Sequence, residues 1–507
     1  MVSIQALGAR ARAHAASALL VGGVALLAAW RVALVLSGPD ADSDAYGHHM
    51  IARQILADPS DLGVHWVWLP LFHYLQVPLV AAGATMNTIR FINVGLWAWV
   101  PLVLFLRVRR GAGGGAGAAP LDPLRDWTAL FAALVCALSP IGMQMGTTAQ
   151  PEPLFCLCVL GFIVFMDRRA YWSAALLLAA ATMLRYEGWA ILPVVAALNL
   201  AALVPTRLRV RLALPLHVGW RKWLPVAVPV LLIFGWAFAR RPYDGAWFGF
   251  LTQTREFANG AMGTKSSLDG GFARLAEDLI YYAARVPWRA MGPAVLLVPI
   301  GLVRTARTQG PLFFLSYLAC LAFLTLTWVM RSSLGLDRHF VVMLPCYATL
   351  AANGLAQIVE LARDRSRNLR IASYVVATAG GAAALAMTWI ALASWMHEWR
   401  GALETSWPDR IAVGAYLRTV PPRDVVFCDE ATIELLSGMG RERFDRHWVD
   451  DPAELARVKE AADRDGAAYV ATWMRKLKGL RGVGELVYRP PGETSADEGI
   501  GVLKVTR

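Results

Sequence analysis

Charged residues are scarce in this sequence. Asp, Glu, Lys and Arg together make up 17% of its 507 residues, whereas hydrophobic residues make up 57%. Soluble globular proteins carry about 25% charged residues. The chain is therefore too apolar for a soluble globular protein of average composition.

Several sequence signals are absent as well. The chain contains no internal repeat, no glycine-rich loop that would cradle a phosphate and no nucleic-acid-binding motif. No small-x-small cleavage site follows the first apolar run, so we expect residues 16–37 to be an uncleaved span rather than a signal peptide.

Apolar residues occur in blocks long enough to cross a bilayer, which takes about 20 residues of helix. The sequence predicts about eleven spans, of which the fourth and fifth are short. They are residues 16–37, 88–106, 127–145, 152–167, 171–187, 188–204, 223–239, 291–306, 311–330, 339–360 and 371–395.

The six cysteines form no disulfide framework. Cys428 stands alone outside the predicted spans. The other five lie within spans: Cys136, Cys156, Cys158, Cys320 and Cys346. Because Cys156 and Cys158 point in different directions on a helix, we expect neither a structural disulfide nor a zinc site.

The net charge of +12 does not indicate a nucleic-acid partner, because the basic residues follow the predicted topology. With a cytoplasmic N-terminus they all fall on the inner side, as the positive-inside rule requires. They are Arg10, Arg12, Arg107, Arg109, Arg110, Arg168, Arg169, Arg207, Arg209, Arg211, Arg221, Lys222, Arg304, Arg307, Arg363, Arg365, Arg367 and Arg370. Eleven spans then place the C-terminus outside.

The predicted spans define two domains. Residues 1–395 form a transmembrane domain with a first outer loop at 38–87 and a second at 240–290, which contains an amphipathic helix around Phe272–Arg285. Residues 396–507 are richer in charge and form a small extracytoplasmic α/β domain. Its predicted strands and helices are Val425–Cys428, Ala468–Thr472, Glu485–Tyr488, Gly501–Val505, Ala431–Leu436 and Ala453–Arg464.

The first outer loop carries the densest set of reactive side chains. It begins with DADSDAYGHHM from Asp40, where Asp44 and His48 share a face of a predicted helix. Downstream, the run HWVWLPLFHYL contains the aromatic and histidine residues His65, Trp66, His73 and Tyr74. One interpretation is a helix N-cap followed by an interfacial aromatic belt. The other is a catalytic loop.

Further ionisable residues lie at the predicted outer ends of spans. Charges inside spans are costly, by about 2.5–3.5 kcal/mol on insertion scales, so they pair or line a functional cavity. Arg185 and Glu187 either pair with each other or serve a site, and Arg31 either extends to the interface or serves a site. The residues concerned are Arg31, Glu152, Arg185, Glu187, Arg338 and His339.

Together these segments resemble GT-C glycosyltransferases, polytopic enzymes that use polyprenyl- or dolichyl-phosphate-linked sugars. Asp44-Ala-Tyr46 with Ala52-Arg53 is similar to a motif of oligosaccharyltransferase catalytic subunits. The run Trp68-Leu-Pro-Leu-Phe-His-Tyr74 resembles a stretch of protein O-mannosyltransferases and aminoarabinose transferases. Three more segments look like pieces of that superfamily: Pro151-Glu152-Pro153-Leu154, Arg185-Tyr-Glu-Gly188 and Arg338-His-Phe with Leu344-Pro345. The Asp-Glu pair of the O-mannosyltransferases is replaced by Asp42-Ser43-Asp44, and the long acceptor-binding motif of oligosaccharyltransferases is missing.

The resemblance implies an inverting transfer of a hexose, such as mannose, or a pentose from a polyprenyl phosphate to a lipid, glycan or protein acceptor. A carboxylate would act as the base, for which Asp44 is preferred and Asp42 is the alternative. Arg338 and Arg185 would hold the departing phosphate. The sugar and acceptor would be bound by His48, His65, Trp66, His73, Tyr74, Glu152, Glu187 and His339.

The resemblance leaves the cofactor open. Asp44, Asp42 and Glu152 offer the hard oxygen ligands that Mg²⁺ or Mn²⁺ prefers, but no cofactor is required by the sequence. A transporter or lipid flippase is the alternative function. It should show inverted repeats and broken helices in the middle of the membrane, and the sequence shows neither. We expect a multi-pass protein of the inner membrane, in contact with membrane lipids and without a nucleic-acid partner.

The predicted topology can be tested with a reporter that is active only in the cytoplasm. Fused after Arg507, the reporter should be silent, because the arginine distribution places the C-terminal domain outside. The same reporter fused after Arg110 should be active and serves as the control. A cytoplasmic signal from the C-terminal fusion would contradict the assignment of the acidic loop to the outer face.

Overall fold

The computed structural model describes thirteen stretches of the chain. The described residues are 4–40, 42–111, 123–201, 219–262, 271–363, 367–406, 408–428, 431–439, 443–445, 452–465, 467–477, 484–489 and 499–506. Four arginines of the predicted cytoplasmic set, Arg207, Arg209, Arg211 and Arg365, lie outside these ranges, as do residues 263–270 of the predicted second outer loop.

Contacts divide the chain into two compact units. The membrane unit consists of Met1–Asp40 and Ile51–Trp395, and the C-terminal unit consists of Ala41–Met50 and Met396–Arg507. The short segment that carries Asp42, Asp44 and His48 therefore groups with the C-terminal unit.

The membrane unit is built almost entirely from helices. Its α-helices, including two that continue into the other unit, are Ile4–Ser37, Ser43–Ala57, Leu71–Ala81, Met86–Arg110, Pro123–Leu138, Pro140–Met145, Glu152–Asp167, Tyr171–Leu184, Ile191–Ala201, Leu224–Asp244, Gly249–Met262, Gly271–Ile280, Val286–Met291, Val298–Val329, Leu344–Arg363 and Arg367–Ser406. Short 3₁₀ segments are Leu62–His65, Tyr186–Ala190, Trp220–Trp223, Gly292–Leu297 and Asp337–Met343, and Tyr281–Arg285 is a π-helical turn.

Six helical segments in the described ranges are long and apolar enough to cross a membrane. They are Ala15–Ser37, Met86–Arg110, Trp220–Asp244, Gly271–Val329, Asp337–Leu361 and Thr378–His397. The chain is thus a polytopic α-helical membrane protein. The predicted total of eleven is not confirmed, because several apolar segments form helices shorter than the roughly 20 residues of a full span. The Glu152–Asp167 helix has 16 residues and the Tyr171–Leu184 helix has 14.

The predicted eighth and ninth spans meet at Gly310. The Val298–Val329 helix is interrupted there, since Gly310 has φ 78° and ψ 165°, and Pro311 follows without a backbone N–H. Arg107, near the end of the Met86–Arg110 helix, binds the residue before this interruption. Its guanidinium donates to the Gln309 side chain at 2.9 Å and to the Gln309 carbonyl at 2.7 Å. The interruption lies where the sequence separates the two spans.

Two helices of the membrane unit approach each other through glycine. A Cβ atom at Gly301 would lie 1.9 Å from the Leu350 carbonyl oxygen and 2.6 Å from the Gly354 nitrogen. A Cβ atom at Gly354 would lie 2.1 Å from the Leu297 carbonyl oxygen. Small residues allow such backbone contact between membrane helices. Neither position has room for any side chain.

The C-terminal unit contains a five-stranded mixed sheet within the described residues. Its strands are β1 Val425–Cys428, β2 Phe444–Asp445, β3 Ala467–Trp473, β4 Glu485–Tyr488 and β5 Ile500–Thr506, in the order β2-β1-β3-β5-β4. β1 pairs in parallel with β2 and β3, whereas β5 is antiparallel to β3 and β4. Four predicted strands are confirmed, with β1 and β4 at the predicted limits. The two-residue β2 was not predicted.

Each face of this sheet carries its own apolar core, because successive side chains on a strand point to opposite faces. One core combines Val426, Tyr469 and Val502 with side chains of the helices Pro408–Leu417 and Ala431–Ser437. The other combines Phe427, Val470 and Leu503 with the helices Pro452–Asp465 and Met474–Leu477. The unit therefore has helices on both faces of its sheet, and its α/β class is the one that the sequence predicts.

The glycine contact leads to a prediction about stability. Gly301→Ala should destabilise the protein by about 1–3 kcal/mol, because a methyl group there forces two helix backbones apart. The measurement is the thermal unfolding midpoint of the detergent-purified chain. Gly95→Ala is the matched control, since Gly95 is also helical but has nothing within 4 Å of the added Cβ. Equal unfolding midpoints for the two variants would show that the close backbone contact at Gly301 is not required for stability.

Candidate functional site

Asp42 and Asp44, the two candidates for the base, lie at the start of the Ser43–Ala57 helix. Asp42 Oδ1 accepts the Asp44 backbone N–H at 3.1 Å, and the Asp42 carbonyl oxygen accepts the Ala45 N–H at 3.2 Å. Asp42 therefore has the position and the hydrogen bond of a helix N-cap. Asp44 lies in the first turn and is half-buried, whereas His48, one turn further on, is buried.

A buried ion-pair group joins two regions of the membrane unit. Arg185 Nη2 donates to Glu187 Oε1 at 2.7 Å, and Arg185 Nε lies 3.2 Å from both Glu187 oxygens. Arg185 Nη1 forms an ion pair with Glu152 Oε1. Both glutamate side chains are at most 5% exposed. Arg185 and Glu187 thus form the mutual ion pair that was one of the two interpretations of the sequence. Glu152 is a second acidic partner of Arg185.

Local backbone structure places these three groups. Glu152 is the first residue of its helix, directly after Pro151. Arg185 is extended, with φ −148° and ψ 147°, between the Tyr171–Leu184 helix and the Tyr186–Ala190 turn. The turn folds back against the preceding helix at Gly188, where a Cβ atom would lie 2.9 Å from the Ala181 carbonyl carbon. A glycine at this position lets Glu187 return to the Arg185 side chain.

Arg338 and His339 approach the same group from the 3₁₀ segment Asp337–Met343. The Arg338 charge is close enough to Arg185 for the two guanidiniums to repel each other, and the His339 imidazole lies in the electrostatic field of both. Five predicted site residues from three distant parts of the sequence are thus brought together. We call Glu152, Arg185, Glu187, Arg338 and His339 the arginine–glutamate group.

A second group forms around the histidines of the first predicted outer loop. His65 Nδ1 lies 2.8 Å from His73 Nδ1, and the His65 and Tyr74 ring centroids are 5.3 Å apart. Trp66 packs edge-on against Trp68, with centroids 5.9 Å apart. The structure thus brings His65, His73 and Tyr74 together and places Trp66 beside them. His65 and His73 are fully buried, whereas Tyr74 is 39% exposed.

Burial decides the protonation state of His65. Removal from water, and to a smaller extent the positive charge of Arg240, lower the pKa of His65 to about 3. The His65 imidazole is therefore neutral at physiological pH. One of the two Nδ1 atoms must carry the shared proton and donate it to the other.

The structure also connects Trp66 to residues that the sequence did not single out, Arg240 and Asp244. Trp66 has the positive φ of 47°, rare for a bulky residue, and its carbonyl oxygen accepts a hydrogen bond from Arg240 Nη1 at 3.2 Å. Arg240 is itself paired with Asp244, at 2.5 Å between Nη2 and Oδ1. The Tyr186 hydroxyl donates to the Val67 carbonyl at 2.9 Å and so connects the histidines' loop to the residue after Arg185.

A third set of buried polar side chains supports the segment that leads into Glu152. Asp40 Oδ2 accepts the Ala149 N–H at 2.7 Å, and Arg90 Nε donates to the Thr147 carbonyl at 2.8 Å. Asn93 Nδ2 lies 2.7 Å from the carbonyl oxygens of Thr148 and Gln150. Arg90 and Asn93 are polar residues inside an otherwise apolar helix, and this feature of the sequence could have indicated that they bind another segment.

The sequence left open a divalent-cation site at Asp42, Asp44 and Glu152. Among the described residues there is no cluster of three or more His, Cys, Asp or Glu side chains that could hold a metal ion. Glu152, one of the three suggested ligands, instead pairs with Arg185.

The fold can be compared with known proteins. No family model matches the chain, and no curated protein sequence matches it. The crystal structure of ArnT from Cupriavidus metallidurans bound to undecaprenyl phosphate is similar, with a TM-score of 0.58 and 13% sequence identity over 95% of this chain and 98% of that one. The fold is GT-C-like. The apo structure of the same ArnT gives a TM-score of 0.53 at the same identity and coverage. At this identity the similarity shows the fold alone, and the GT-C-like architecture predicted from the sequence is confirmed.

The ion-pair group leads to a prediction about Arg185. Arg185→Met should cost about 3–5 kcal/mol of stability, because it leaves two buried carboxylates without their counter-charge. Thermal unfolding in detergent measures the effect. Arg285→Met is the control, since its ion pair with Glu277 is more than half exposed on both sides and should contribute about 0–1 kcal/mol. The triple variant Arg185→Met, Glu152→Gln, Glu187→Gln should recover part of the loss. Equal stability of the two single variants would contradict a structural role for Arg185.

Proposed function

We propose that this protein transfers a sugar from a polyprenyl-phosphate carrier to an acceptor at the outer face of the inner membrane. The observation that carries the proposal is the similarity of fold, over 95% of the chain, to an ArnT structure bound to undecaprenyl phosphate. The convergence of the predicted phosphate-binding residues in the arginine–glutamate group is consistent with it. The sugar class, hexose or pentose, and the acceptor class, lipid, glycan or protein, stay open in this proposal.

The proposed chemistry needs a cation for the departing phosphate. As the bond to the sugar breaks, negative charge develops on the phosphate, and a fixed guanidinium in a site shielded from water stabilises it strongly. Arg185 is already engaged by Glu152 and Glu187, which offset its charge. We assign the phosphate to Arg338, because a guanidinium binds phosphate oxygens bidentately and the Arg338-His-Phe segment resembles the GT-C superfamily. Arg185 is given a supporting role. His339, in the field of both, would contact the headgroup.

The proposed reaction also needs a base for the acceptor hydroxyl. Asp44 is assigned this role on the basis of its Asp-x-Tyr sequence, and the transfer would invert the anomeric carbon. The capping hydrogen bond of Asp42 supports the preference for Asp44, because Asp42 has a structural task in starting the helix. The C-terminal unit would lie outside the cytoplasm.

The base assignment predicts the effect of two isosteric substitutions. Asp44→Asn should abolish transfer while the protein stays folded, because the amide keeps the shape of the carboxylate but accepts no proton. Asp42→Asn should reduce transfer less, since an asparagine also caps a helix. The measurement is sugar transfer from polyprenyl-phosphate donors in native membranes. Normal turnover in Asp44→Asn with loss in Asp42→Asn would move the base by two residues. Activity in both would exclude this segment as the catalytic centre.

The phosphate assignment predicts that Arg338→Ala loses transfer and binds the donor more weakly. Arg338→Lys should also be impaired, because a point charge does not reproduce the bidentate fork of a guanidinium. Turnover and donor affinity are measured with the purified chain. Arg289→Lys is the control. Arg289 pairs with Asp337, the residue before Arg338, but its own side chain is 53% exposed. Full activity of both Arg338 variants would leave Arg185 as the phosphate ligand.

A further inference from the structure

Polar atoms without a hydrogen-bond partner cluster beside the His65–His73 pair. Within the described ranges, no partner exists for His65 Nε2, Trp236 Nε1, Asp244 Oδ2 or either amide atom of Gln76. The His65 and Gln76 residues are 0% and 2% exposed, and the Asp244 side chain is 1% exposed. Trp236 is 9% exposed. Water does not reach these atoms freely, so leaving them unpaired costs free energy that a ligand could recover.

One ring contact and two helix faces relate these side chains. The His65 ring lies edge-on to the Trp236 ring, with centroids 5.0 Å apart. Trp236, Arg240 and Asp244 follow one another at four-residue intervals on the Leu224–Asp244 helix and so share a face. Gln76 lies three residues after His73, one turn along the Leu71–Ala81 helix. We call Gln76, His65, Trp236 and Asp244 the orphan cluster.

The chemical types in the orphan cluster are mixed. The Trp236 N–H only donates, the Asp244 carboxylate only accepts, and the Gln76 amide does both. A sugar hydroxyl donates and accepts at once, so neighbouring hydroxyls on a ring match such a mixture. The indole of Trp236 adds an apolar wall of the kind that lines ligand pockets. A phosphate, which offers mainly acceptors at neutral pH, would leave the Asp244 oxygen unsatisfied.

The charges around the orphan cluster cancel. Arg240 pairs with Asp244, and the His65 imidazole is neutral at physiological pH because burial lowers its pKa to about 3. Neither a cationic nor an anionic substituent on a sugar would find an uncompensated opposite charge here. Burying such a substituent without a counter-charge is costly.

We infer that the orphan cluster binds the ring of the donor sugar and favours an uncharged, hydroxyl-rich sugar over a cationic amino sugar or an anionic uronic acid. The inference rests on the proposed function and assigns Trp236, Gln76 and Asp244 to the same site. The inference also relates the positive φ of Trp66 to the sugar site. Arg240 donates to both the Trp66 carbonyl and Asp244, so the Trp66 backbone helps to position Asp244.

The test is binding of short-chain polyprenyl phosphates to the purified full-length chain. The probes are the bare polyprenyl phosphate and the same lipid carrying a neutral hexose, an amino sugar or a uronic acid. The neutral hexose should bind more tightly than the bare lipid and than both charged sugars. Trp236→Phe removes one hydrogen-bond donor and keeps an aromatic ring, so it should weaken binding of the hexose lipid by roughly 3- to 10-fold. Binding of the bare lipid should not change, which also shows that the variant is folded.

The matched control is Trp97→Phe. The Trp97 indole is fully buried and its Nε1 also has no partner among the described residues, but it packs against Gly142. Trp97→Phe should leave the affinity ratio of hexose lipid to bare lipid unchanged. An unchanged ratio in Trp236→Phe, or tighter binding of a charged sugar by the wild type, would overturn the inference while the proposed function stands. If the wild type binds none of the four lipids, the proposed function fails with it.

Discussion

A charge taken out of water must meet an opposite charge or a set of dipoles, and much of the membrane unit is arranged around that requirement. Arg185 joins the start of one helix, at Glu152, to the turn that follows another. Arg331 and Asp278 form a similar buried pair, at 2.8 Å, between the Gly271–Ile280 helix and the loop before Arg338. Because each pair joins distant segments, the path of the chain near the proposed site depends on these contacts.

The same requirement explains how much of the site the sequence revealed. A charge inside an apolar run is costly, so Glu152, Arg185, Glu187, Arg338 and His339 stood out as a set, and the structure brings them together. Regular elements were equally accessible. Short apolar runs within a more charged region predicted β1 and β4 at their observed limits, and the observed break at Gly310 falls between the predicted eighth and ninth spans. The Arg185–Glu187 pair was one of two interpretations of the sequence, whereas the second partner of Arg185, Glu152, was not accessible from it.

Other features depend on tertiary contacts that no local pattern encodes. Arg240 and Asp244 occur at the end of a predicted span, where they look like ordinary interfacial charges, yet both side chains are 1% exposed. The number of full-length spans was hard to predict for a related reason. Apolar composition predicts burial, but a helix buried against protein can be shorter than one that must cross the hydrocarbon by itself. The 14-residue Tyr171–Leu184 helix is such a case.

Arg31 shows the limit of explaining buried charge by stability. The sequence allowed it to extend to the interface, but the residue is 1% exposed, and its Nη2 donates to the Ala137 carbonyl at 3.1 Å. No acidic partner for it is seen in the described part of the chain. At Gly146 an added Cβ would lie 2.9 Å from Arg31 Nε, so the surrounding packing is fitted to the guanidinium. A single carbonyl does not offset the desolvation of a full charge. Replacing Arg31 with an apolar side chain of similar size should therefore be neutral or stabilising, so stability alone does not account for an arginine at this position.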